Sequence, residues 1–285
     1  MYRKLYRFIR KVSYYLLKHY SGSNSIIPSV MAIDVGIMVL EKDLEILPLC
    51  IKGIRKHIRN KINNIYIICP SSDVIKKYCI DYNLKYVEES SVLGYGPRDL
   101  DIVVKSRNDT LNRSGWLFQQ LVKLSGNIGD SQHVLFIDSD HILIKDHVFL
   151  TSEDKTVYYM SKEFHLPYYN NMKKLLRKKL LVPPALSFVS HKMLFDKDKL
   201  KELHRIVEMN NGEGKKWDKI IIESYDKKQE SGFSEFELYG YMFGDDGIWL
   251  PWEETRLNYT QKESYDVLEN KYKSFKSVTF PSFIN

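Results

Sequence analysis

Two aspartates separated by one residue, Asp138 and Asp140, close the apolar run Val134-Leu135-Phe136-Ile137. In extended chain, positions i and i+2 point the same way, so the two carboxylates converge on one point. Paired hard oxygen ligands with coordination positions to spare suit Mg2+ or Mn2+ bridging a diphosphate. A metal held there would neutralise charge developing on a nucleoside-diphosphate leaving group. The same pattern also arises as an Asx turn or helix cap at a strand end. Its position gives it chemical weight, because open α/β sheets bind ligands at the carboxyl ends of central strands.

Two further groups carry chemistry. In Ser234-Glu235-Phe236-Glu237 the serine and the glutamate three residues on form a capping box, which assigns Glu237 to the helix start. Glu235 then falls in the first turn, where the helix dipole favours an ionised carboxylate. The alternative is that both acids serve only the helix end. Arg113, Trp116, Gln120 and Lys123 recur at helical spacing, with Gln119 beside them, and share one face just before the Asp138 strand. A solvated amphipathic helix gives the same spacing. Tyr168, Tyr169, Trp249 and Trp252 read either as platforms for a ring-shaped ligand or as core packing. Gly94-Tyr95-Gly96 is no dinucleotide fingerprint, since Asp99 stands where the third glycine belongs.

The elements that must position these residues alternate. The pattern predicts a strand around Met31–Leu40, a helix over 48–60 with Pro48 near its start, and a strand over Ile65–Cys69. A helix to Tyr82, a strand over Leu84–Val87, a helix over 113–125 and a strand over His133–Ile137 follow. This β-α-β order implies a mostly parallel sheet with helices on both faces, a Rossmann-like α/β fold. Beyond it, helices are expected near 170–181, 194–210, 215–225 and 235–243.

The chain resembles GT-A glycosyltransferases, and within them a bacterial family associated with capsule and lipopolysaccharide synthesis. The resemblance is carried by Arg113-Ser114-Gly115-Trp116-Leu117-Phe118-Gln119-Gln120-Leu121-Val122-Lys123, Phe136-Ile137-Asp138-Ser139-Asp140, Ser187-Phe188-Val189-Ser190-His191-Lys192-Met193-Leu194-Phe195 and Ser234-Glu235-Phe236-Glu237-Leu238-Tyr239-Gly240. It spans about residues 32 to 255. It implies a metal-dependent sugar transfer from a nucleotide-sugar donor to a capsule or lipopolysaccharide acceptor, with inversion expected as the corollary of a catalytic base. The donor half would be about 26–150 and the acceptor half about 151–285 of one domain. The resemblance makes His191 a candidate third metal ligand beside Asp138 and Asp140, with a core histidine as the alternative. It makes Glu235, and after it Glu237, the candidate catalytic base. It gives Arg113, Trp116, Gln120 and Lys123 to donor phosphate and sugar hydroxyls.

Charge narrows the partners. Residues 1–20 carry Arg3, Lys4, Arg7, Arg10, Lys11 and Lys18 and no acid; removing those six from the net +7 leaves +1 for the rest. A nearly neutral body is not that of a nucleic-acid-binding protein. Leu5, Phe8, Ile9, Val12 and Leu16 fall on one face of that segment, so it reads either as an interfacial helix for an anionic membrane or as a helix packing on its own domain. Ser21-Gly22-Ser23-Asn24-Ser25 reads as a linker. Cys50, Cys69 and Cys79 form no framework and read as buried thiols of a reducing, cytoplasmic compartment. Two rival readings remain: a phosphohydrolase of the haloacid-dehalogenase type, using Gly244-Asp245-Asp246 as a late acidic motif, and a non-enzymatic membrane-surface binding protein.

Overall fold

Side chains along the strand His133–Ile137 alternate between two apolar layers, and this explains the architecture around it. Val134 and Phe136 enter one buried cluster, Leu135 and Ile137 the other. The period of two puts both faces of the sheet in contact with helices. The structure is a computed structural model that describes residues 2–21, 26–105, 109–212 and 214–281. The expected linker at residues 22–25 lies outside them.

The central sheet comprises β1 (Ile33–Met38), β2 (Ile62–Cys69), β3 (Lys85–Glu88), β4 (His133–Ile137) and β5 (Lys192–Asp196), in the order β3-β2-β1-β4-β5. The first four are parallel; β5 runs antiparallel to β4, with Ile137 opposite Lys192. The helices of eight or more residues are α1 (Tyr2–Tyr20), α2 (Leu47–His57), α3 (Asp73–Asp81), α4 (Ser114–Leu124), α5 (Leu166–Leu175), α6 (Lys197–Asn211), α7 (Trp217–Ser224) and α8 (Glu235–Phe243). One layer is built on α2 and α3, the other on α4, α6 and α8. This is a mixed, mostly parallel α/β fold of the expected class.

Local chemistry sets the boundaries. Pro48 lies in the first turn of α2, where its missing N–H costs nothing. Ser72 caps α3 by accepting from Ile75 N–H at 3.2 Å. Two expectations are corrected. The helix expected at 194–210 starts at Lys197, because residues 192–196 pair with β4 as a strand. The helix expected at 170–181 occupies Leu166–Leu175, with Pro167 in its first turn.

A smaller three-stranded sheet flanks the carboxyl end of β4. Glu254–Arg256 pairs with Ser277–Thr279, which pairs with His141–Leu143. It brings the segment after Asp140 next to residues near the chain's end. Cys50, Cys69 and Cys79 are free and buried.

Candidate active site

The antiparallel β5 determines what meets the two aspartates. Residues entering β5 must lie beside residues leaving β4, so Asp138 N–H donates to the His191 carbonyl at 3.0 Å. The His191 backbone is left-handed, with φ 56°, an uncommon region for a residue with a side chain. Its imidazole Nδ1 donates to Asp138 Oδ2 at 2.9 Å. From α4, Lys123 Nζ donates to Asp138 Oδ1 at 2.9 Å and pairs with Glu235 at 3.0 Å. Side chains on or beside four elements, α4, β4, β5 and α8, thus converge at the carboxyl edge of β4.

The electrostatics follow from these contacts. Burial opposes ionisation of Asp138, but the Lys123 charge and the His191 hydrogen bond outweigh it and hold the carboxyl well below its ordinary range. Burial likewise disfavours the Lys123 ammonium, yet Asp138 and Glu235 together keep it charged. His191 is held above its ordinary value: its burial is outweighed by the Asp138 hydrogen bond and by the charges of Glu254, Asp138 and Asp140. Asp140 is pushed up to about 7, by burial first and then by the Asp138 charge. Among the described residues its carboxyl has no hydrogen-bond or ion-pair partner.

Behind His191 lies a buried polar array that sequence reasoning missed. The Glu254 side chain is 1% exposed, 3.8 Å from His191 Nε2 and 3.0 Å from His141 Nδ1. His141 Nδ1 is also 2.8 Å from Thr279 Oγ1, and its Nε2 is 3.0 Å from Lys192 Nζ. Burial brings Lys192 down to about 7. His141 follows the aspartate pair directly and Lys192 follows His191, which was the available signal; Glu254 offered none. The Trp252 ring lies against His191, with centroids 5.6 Å apart.

The structure separates the two glutamates. Glu235 is buried in the first turn of α8, facing Lys123. With its amide nitrogen turned towards the acceptors, Gln120 donates to Glu235 Oε2 at 2.8 Å and to the Phe233 carbonyl at 3.2 Å. Glu237 is turned the other way: its Oε1 accepts from Tyr169 at 2.9 Å and from Ser187. Ser234 caps the helix through Glu237 N–H at 3.3 Å, but the Glu237 side chain does not complete the expected capping box.

Of the α4 face, Gln120 and Lys123 join this group. Arg113 and Trp116 continue it one to two turns earlier: Arg113 stacks over the Trp116 ring at 4.3 Å, and Trp116 packs edge-on to Tyr225. Gln119 is half-buried on the same helix. Tyr169 and Trp249 are packing residues, the latter donating to the Gly244 carbonyl at 2.9 Å. Tyr168 lies edge-on to His165. Asp245 and Asp246 occupy an exposed turn directly after α8.

Among the described residues, no three His, Cys, Asp or Glu side chains are arranged as a metal centre. The donor types still fit one. Two carboxylates suit Mn2+ or Mg2+, and burial and the Asp138 charge disfavour ionised Asp140, so a cation there would relieve it.

A mostly parallel sheet with an antiparallel fifth strand, bearing an Asp-x-Asp at the end of β4, makes this a mixed α/β protein with its candidate site at the carboxyl edge of the sheet. The chain belongs to the family described as "Family of unknown function (DUF6492)", which matches residues 28–282. No curated protein matches. Among solved structures, the chain is similar to the WbbM bifunctional glycosyltransferase, at 13% identity over 88% of this chain and 46% of that one, TM-score 0.49. It is similar to mouse xyloside xylosyltransferase 1, at 6% identity over 89% and 99%, TM-score 0.48. It is similar to the glycosyltransferase GlyE of Streptococcus pneumoniae, at 12% identity over 88% and 55%, TM-score 0.42. The chain spans about half the length of the WbbM and GlyE chains.

Proposed function

We propose that this protein is a metal-dependent, inverting glycosyltransferase that moves a sugar from a nucleotide-sugar donor to a bacterial surface glycan of the capsule or lipopolysaccharide kind. The observation that carries the reading is the Lys123 ammonium, 2.9 Å from Asp138 and 3.0 Å from Glu235. It brings Asp138, of the proposed metal-side pair, and a carboxylate on a separate helix to one point, which supports a site where a leaving group and an acceptor hydroxyl are handled close together.

Asp138, Asp140 and His191 would hold Mn2+ or Mg2+, which when bound neutralises charge on the diphosphate leaving group. Glu235 takes the proton from the acceptor hydroxyl. Gln120 fixes the orientation of its carboxylate, and Lys123 holds it at a set distance from Asp138. Arg113 and Trp116 extend the donor face along α4. Residues 26–150 form the donor half of one domain and 151–285 the acceptor half. The acceptor is a glycan or lipid-linked glycan, met at the inner face of the cytoplasmic membrane, and nucleic acid is not a partner.

The test is release of nucleoside diphosphate from UDP-, GDP- and dTDP-sugars and of CMP from CMP-sugars, with and without a membrane glycan extract. Glu235→Gln is expected to lose acceptor-dependent turnover by about 100-fold or more, with Glu237→Gln less affected. Full turnover by Glu235→Gln contradicts the assigned base. Release of inorganic phosphate without acceptor would instead indicate a phosphohydrolase.

A further inference from the structure

We propose that the outward face of α1 docks on an anionic lipid bilayer, through Leu5, Phe8, Ile9, Val12 and Leu16 and the cations Lys4, Arg7 and Lys11 beside them. This deepens the membrane location in the proposed function and assigns residues to it; it does not need the transferase chemistry.

An amphipathic helix on a soluble domain ordinarily turns its apolar stripe inward. Here the stripe faces out: Phe8 is 64% exposed and Leu5 53%, with Ile9, Val12 and Leu16 exposed along the same side. Polar anchors fix this orientation. Arg10 is fully buried; it donates to the Tyr169 hydroxyl at 2.5 Å, to the Pro184 carbonyl at 3.0 Å and to the Glu163 carbonyl. One turn earlier Tyr6 stacks on Phe164, with centroids 5.1 Å apart. One turn later the Tyr14 hydroxyl accepts from Glu253 N–H at 3.0 Å. The helix is therefore held by the side that bears Tyr6, Arg10, Tyr14 and Leu17, which leaves the stripe of Leu5, Phe8, Ile9, Val12 and Leu16 exposed.

The choice of occupant follows from charge. Lys4, Arg7 and Lys11, at spacings of three and four, form one exposed stripe bordering the apolar face. None has an ion-pair partner among the described residues. An apolar face edged by lysine and arginine is the composition that lies in a bilayer interface and is drawn to anionic headgroups. A second copy docking by the same face would bring two sets of these cations together. In the segment that leads to Pro184, which Arg10 binds, Leu180 is 80% exposed and Val182 62% exposed, following Lys178 and Lys179. No described helix is long and apolar enough to cross a membrane, so the contact is with the surface.

Co-sedimentation of the full chain with vesicles tests this. Vesicles of equal parts phosphatidylcholine and phosphatidylglycerol should bind at least about tenfold better than phosphatidylcholine alone, and less well as salt is raised. Lys4→Glu/Arg7→Glu/Lys11→Glu and, separately, Phe8→Ser/Val12→Ser should each weaken binding about tenfold or more at an unchanged thermal midpoint, since these side chains are exposed. Equal binding to both vesicles, no binding to either, or insensitivity to both variants overturns the proposal. So does a dimer, seen by light scattering, that Phe8→Ser/Val12→Ser dissolves. The assay uses neither donor nor acceptor, so its failure leaves the transferase reading standing, and the reverse holds.

Discussion

Asp138 and Glu235 share one buried ammonium, Lys123 Nζ, at 2.9 and 3.0 Å. Neither carboxylate reaches the other directly, so the lysine sets their relative position and compensates both charges in a largely desolvated setting. The spacing between the metal-side pair and the proposed base is thus fixed by one side chain of α4.

Lys123→Met should be costly for that reason. It leaves Glu235 without a cation and Asp138 with only the His191 imidazole beside it, and a loss of about 3 kcal/mol is expected when one partner of a buried pair is removed. Urea unfolding measures it, and a midpoint equal to that of the parent protein would show the bridge to be dispensable.

Asp140→Asn should act in the opposite direction. Burial and the Asp138 charge both disfavour the ionised Asp140 carboxyl, so neutralising it is expected to leave the thermal midpoint unchanged or raise it. The same change should abolish any Mn2+-dependent effect of nucleotide, the usual opposition between stability and a functional site. Thermal scans with and without Mn2+ report both.

The contact between the His191 segment and α8 depends on a glycine. A Cβ at Gly240 would lie 2.1 Å from Phe188 Cγ, so Gly240→Ala should cost about 1–3 kcal/mol through overpacking. Phe188→Ala in the same chain should recover part of that loss, giving a favourable coupling in a double-mutant cycle. Additive losses would show that the two do not touch.

Acid sensitivity is expected at Asp196. Its burial is outweighed by the His133 ring 3.6 Å away, the Asp198 N–H and the Gln132 amide, and the carboxyl is held well below its ordinary value. A depressed folded-state value means that the stabilisation is present above the unfolded carboxyl's value of about 3.9 and is lost as pH falls below it. Asp196→Asn keeps a side-chain cap for α6 but removes the charge. Its urea midpoint should therefore fall less than that of the parent between pH 7 and pH 3.

Legibility from sequence followed locality. Strand β4 and helix α8 have the expected bounds, since an apolar run ending in acids and a Ser-x-x-Glu start are local signals. Strand β5 was read into a helix because Lys192-Met193-Leu194-Phe195-Asp196 is short and continuous with a helical pattern; only pairing with β4 makes it a strand. Lys123 was visible as one residue of a helical face, but its two partners come from other elements. Glu254 reaches the site through a small sheet whose strands lie far apart in sequence. The orientation of α1 is set by Arg10, whose burial is a tertiary fact that no periodicity encodes.

The most direct measurement is thermal stabilisation by UDP, GDP, CMP and dTDP sugars, each with and without Mn2+, on the parent chain and on Asp138→Ala. The account predicts a rise in midpoint with one nucleotide class that requires Mn2+ and vanishes in Asp138→Ala. A Mn2+-dependent rise that persists undiminished in Asp138→Ala, or no rise with any of the four, would contradict it.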